Sequence, residues 1–66
     1  MYGEHIEEIF KLFKENNPRV KPKAEDIAED VIEILYSQDE IDDAKADDLA
    51  FKAELIEQVK YTCALS

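Results

Sequence analysis

The residues with chemistry to offer are mostly carboxylates, and they are crowded. Within "SQDEIDDAKADDLA", residues 37–50, six acids (Asp39, Glu40, Asp42, Asp43, Asp47, Asp48) surround one base, Lys45. Oxygen-rich stretches of this kind bind calcium when the spacing is right. An EF-hand loop wants ligands at positions 1, 3, 5 and 12 and a glycine turn at 6. Counted from Asp43, position 5 is Asp47 and position 12 is Glu54, but position 3 is Lys45 and position 6 is Asp48. A cation in the ligand set and a missing glycine speak against a metal site, and none is expected.

Paired carboxylates also do acid–base catalysis, which needs a pocket and a perturbed pKa. A chain this short has little room for a pocket, and no polar residue falls on its apolar stripes. The single histidine, His5, and the single cysteine, Cys63, form neither a nucleophile–base pair nor a Cys/His zinc set. Cys63 reads as a small hydrophobe near a helix end, and His5 as a partly exposed residue. No glycine-rich phosphate loop is present. The reading is non-enzymatic, with no cofactor. The stretch "ADDLAFKAELIEQV", residues 46–59, resembles the Asp-Ser-Leu segment of acyl carrier proteins, which are also small, acidic and helical. Asp47 stands where that family carries its phosphopantetheine serine, so the resemblance carries over no site.

The elements holding these residues follow from apolar spacing, taking about 100° per residue. Between Gly3 and Asn16, Ile6, Ile9, Phe10 and Phe13 form one stripe, with Leu12 at its edge. The opposite face mixes Glu4, Glu7, Glu8, Lys11, Lys14 and Glu15, with Glu7 and Lys11 in the favourable i,i+4 order. The helix ends where Pro18 disfavours helix at Asn17. A second helix is expected over Lys23–Tyr36. Ala24, Ile27, Ala28, Val31, Ile32, Ile34 and Leu35 lie within roughly 160° of arc. Its other face carries Glu25, Asp26, Glu29, Asp30 and Glu33 and no base. Glu25 and Asp26 suit the positive end of the helix dipole. The i,i+4 pairs Glu25–Glu29, Asp26–Asp30 and Glu29–Glu33 together cost about 1 kcal/mol before salt screening. Ser37 with Glu40 fits a capping box, so a third helix is expected from near Gln38 to about Cys63. Its apolar residues, among them Leu49, Phe51, Leu55, Ile56, Val59 and Cys63, cover roughly 200°, wider than one neighbouring face needs.

Sixty-six residues with 18 Val, Ile, Leu or Phe make one domain with a thin core. A chain of about 60 residues is marginal alone and leans on a disulfide, a metal or a partner. One cysteine forbids an internal disulfide. One glycine and two prolines favour long helices over many short strands. The expected fold over residues 1–66 is therefore all-α, a small three-helix bundle. A homodimer through the apolar face Leu49, Phe51, Leu55, Ile56 and Val59 would use the width of the third helix.

Net charge is −9, from 17 acids against 8 bases. Such a surface repels free nucleic acid and anionic membranes, so neither is expected as a ligand. No apolar run is long enough to span a bilayer, and "MYGEHIEEIF" lacks the pattern of a signal peptide, so a cytoplasmic location is expected. Arg19–Lys23, "RVKPK", holds three bases. It serves either as a small partner contact or to neutralise Glu25 and Asp26.

The acidic helix face and the acidic turn are neighbours in sequence, so they could form one continuous negative surface. Carboxylates fixed on helices imitate a row of phosphates, and a basic groove attracts them. The functional expectation is an inhibitor or adaptor that occludes a basic, nucleic-acid-binding surface of a partner protein. Glu29, Asp30, Glu33, Asp39, Glu40, Asp42 and Asp43 would carry the contact. Small acidic phage proteins that act this way are the analogy, one of composition only, and an immunity- or antitoxin-like role shares the same logic. The alternative is an assembly module that works through the apolar face of the third helix.

Overall fold

The computed structural model describes residues 2–64. Four helices follow one another: α1 (Gly3–Asn16), α2 (Ala24–Ser37), α3 (Asp43–Ala46) and α4 (Leu49–Thr62). No strand occurs among the described residues. The bounds of α1 and α2 match their apolar periodicity to within a residue. The stripe of α1 sends Ile6 and Ile9 inward, and that of α2 sends Ile27, Ala28, Val31 and Leu35. Phe51, Leu55 and Val59 of α4 complete the core. Among the described residues no polar side chain is buried with them. Each of the three long helices packs on the other two, so this is a small all-α bundle with a single shared core.

The expected third helix from Gln38 to Cys63 is not continuous. A turn over 38–42, the single-turn α3 and a break at Asp47–Asp48 occupy its first half. The capping box at Ser37 and Glu40 does not form either, because Ser37 is the last residue of α2. Three aspartates account for the difference. Asp39 takes the left-handed conformation, with φ 59°. Its amide donates to the Tyr36 carbonyl, and the Glu40 amide donates to that of Leu35, which is the Schellman closure of a helix. Asp42 Oδ1 accepts from the Lys45 amide at 2.9 Å and caps α3. Asp48 Oδ1 accepts from the Ala50 and Phe51 amides at 2.9 and 3.4 Å and caps α4. Short carboxylates compete for backbone amides, so they start and stop helices more readily than they extend them.

The wide apolar arc of 49–63 also finds its reason here. Helix α4 lies against α1 and α2 together, so it needs two inward faces within one molecule. Tyr2 meets Phe51 edge-to-face at 6.0 Å between ring centroids, and Lys45 sets its ammonium 4.8 Å from the centroid of the same ring. The one base of the acidic stretch therefore closes the core over α4, in a cation–π contact.

Candidate functional site

Three kinds of environment divide the acids that the sequence groups together. The first is internal compensation. Lys52 of α4 reaches across to α2, with Nζ 2.8 Å from Glu29 Oε1 and 3.6 Å from Glu25 Oε1. The Glu29 hydrogen bond and charge hold the Lys52 ammonium above its ordinary pKa. The α2 face thus has a base after all, supplied from 23 residues away along the chain. Glu40 is likewise met from another element, with Oε2 3.6 Å from His5 Nε2 of α1.

The second environment is the backbone. Asp39, Asp42 and Asp48 finish or start helices, as described above. Asp43 faces Tyr36, and its hydrogen bonding and charge push the phenol above its usual range. Aspartate directly before an apolar run is an N-terminal signature. Asp48 before Leu49–Phe51 carried that signal, but the acidic clustering around it obscured the role.

The third environment is a shallow groove between α1 and α2. Ile9 and Ile34 are among its lining residues, and Asp30 and Glu33 stand beside them, with Ser37 and Gln38 also lining it. Partial burial raises the Asp30 pKa first, and the charges of Glu33, Asp26 and Glu29 raise it further. Neither Asp30 nor Glu33 has a cation within ion-pair distance among the described residues. Of the seven acids expected to meet a partner, Asp30 and Glu33 stand together at this groove, whereas Asp39 serves its turn through its backbone conformation and has no side-chain partner either among the described residues.

The five apolar residues expected on a dimer face separate as well. Phe51, Leu55 and Val59 are core residues of the single chain. Ile56 packs partly against that core, and Leu49 stands 80% exposed. Cys63, half-buried at the end of α4, has its thiol pKa raised by burial and by the charge of Glu7. No three of the His, Cys, Asp and Glu side chains among the described residues converge in a way that could hold a metal ion. No helix among the described residues is long and apolar enough to cross a membrane.

Fold and site together define a small acidic helical bundle with two carboxylates, Asp30 and Glu33, beside a shallow groove between α1 and α2. Comparison with family models, curated proteins and solved structures finds no match to this chain.

Proposed function

We propose that this protein is a non-enzymatic binding protein, an inhibitor or adaptor that covers a basic surface of a partner protein and competes there with nucleic acid. One observation carries the reading. Asp30 and Glu33 stand one turn apart beside an apolar groove with no cation to meet them, while Glu25, Glu29 and Glu40 are each met from another element. Like charges at this spacing oppose folding, and a basic partner converts that cost into attraction. The remaining acids, spread over the three long helices and the turns between them, add negative charge that favours solubility and speeds encounter with a positive surface. The mechanism is steric and electrostatic occlusion.

The test uses the partner captured from the native host and then purified. Affinity should fall steeply with salt, and nucleic acid should displace the protein. Changing Asp30→Lys with Glu33→Lys should abolish binding while the helical circular dichroism stays intact. Binding indifferent to salt and to that double reversal would overturn the reading. Self-association through Leu49 and the outer part of Ile56 is a second proposal, favoured by the exposure of Leu49. Sedimentation at micromolar concentration decides it: a dimer supports it, and a monomer removes it.

A further inference from the structure

The α1–α2 groove offers a shape as well as a charge. Ile34, half-buried, lies along it, with the 7% exposed edge of the core residue Ile9. Leu12, outside the groove's lining but one turn beyond Ile9, is 47% exposed, and helical spacing sets it on the Ile9 side of α1. Two packed helices leave between them a furrow that accepts the side-chain ridge of a third. The described residues present no sheet edge, so an added strand would find no backbone to pair with, whereas a helix brings its own hydrogen bonds satisfied. Resting on the reading that the acidic surface faces a basic protein, we propose that this groove receives an amphipathic helix of the partner, its apolar ridge on Ile9, Leu12 and Ile34 and its Lys or Arg side chains on Asp30 and Glu33.

Charge complementarity selects this occupant. The rim carries two unpaired carboxylates, and a second copy of the chain would bring −9 against −9. The partner helix must therefore be basic along both edges of its apolar stripe. Spacing follows from the rim: Asp30 and Glu33 are i,i+3 neighbours on one ridge of α2, so a cation on each of two successive turns of the partner would meet them. The raised pKa of Asp30 fits a carboxylate that is partly desolvated and lacks its cation until that helix arrives.

The probe is a synthetic amphipathic helix of leucine and lysine, about 18 residues long so that it is helical in solution. It is titrated at low salt into the isotopically labelled full chain while amide shifts are followed. Shifts centred on Ile9, Leu12, Asp30, Glu33 and Ile34 support the groove. Leu12→Ser, at a half-exposed site, should weaken binding about tenfold without unfolding the protein. Asp30→Asn with Glu33→Gln should weaken it by roughly tenfold as well. Shifts centred instead on Asp39, Asp42 and Asp43, or an unchanged affinity for Leu12→Ser, would overturn the groove and leave the acidic-surface reading standing. Absence of binding at low salt would overturn both.

Discussion

At the scale of single residues, the acids of this chain differ by what lies within about 4 Å of each carboxylate, a distance at which a unit charge still matters near a protein surface. Asp30 shows the consequence for pH. Its folded pKa is raised above the ordinary 3.8, by partial burial first and then by Glu33, Asp26 and Glu29. Between 3.8 and the raised value the folded state holds more protons than the unfolded chain. Stability from this group therefore falls as pH rises through that window and stays lost at neutral pH. Asp30→Asn should raise the melting temperature at neutral pH, and the advantage should shrink to nothing as pH drops below 3.8. Thermal melts of both proteins across that range check this. A lower melting temperature for the variant at neutral pH would mean that the carboxylate has a stabilising partner.

At the scale of elements, α2 ends at the left-handed backbone of Asp39 and α4 begins at the carboxylate cap of Asp48. Asp39 holds the left-handed turn with φ 59°, a conformation in which glycine has no steric penalty. Asp39→Gly should therefore stabilise the protein by about 0.5–1 kcal/mol, read from the urea midpoint, because the Schellman hydrogen bonds stay while the strain is relieved. Removal of one charge from a crowded acidic turn works in the same direction. The pairing of Glu25 and Glu29 with Lys52 belongs to this scale too. Like-charge neighbours on one helix are tolerable when the helix packed beside it carries the counter-charge, and helix periodicity alone does not reveal that neighbour.

At the scale of the whole molecule, a chain of this size has about 3–10 kcal/mol of stability in total. Phe51 is only 6% exposed and touches both the α1 and α3 ends of the core. Truncating a buried phenylalanine costs about 3–5 kcal/mol, and placing a carboxylate there costs more. Phe51→Asp should thus abolish the helical circular dichroism of the single chain. A variant that stayed helical and merely changed its association state would show that Phe51 serves an interface after all. The apolar width of α4 invites the interface reading from sequence, since an arc of about 200° exceeds what one neighbour requires. The bundle resolves it by giving α4 two neighbours at once.

Sequence alone determined the all-α class, the positions of α1 and α2 and the inward side of each, because apolar spacing at the helical period is a local property of the chain. Which stripe residues are buried (Ile6, Ile9, Ile27, Ala28, Val31, Leu35) and which only partly so (Phe10, Phe13, Ala24, Ile32, Ile34) was set by packing. The excess of acid over base was equally plain. Tertiary structure decided which acids are spoken for. Lys52 and Glu29 are 23 residues apart, and His5 meets Glu40 from the far end of the chain. No local pattern encodes such meetings, since they depend on which helix faces come together. The break between α3 and α4 lay between these cases: Asp48 announced a helix start, but only competition with the surrounding carboxylates and the packing of Phe51 settled that α4 begins there. That Asp30 and Glu33 share a groove with Ile9 became visible only once folding had brought α1 beside α2.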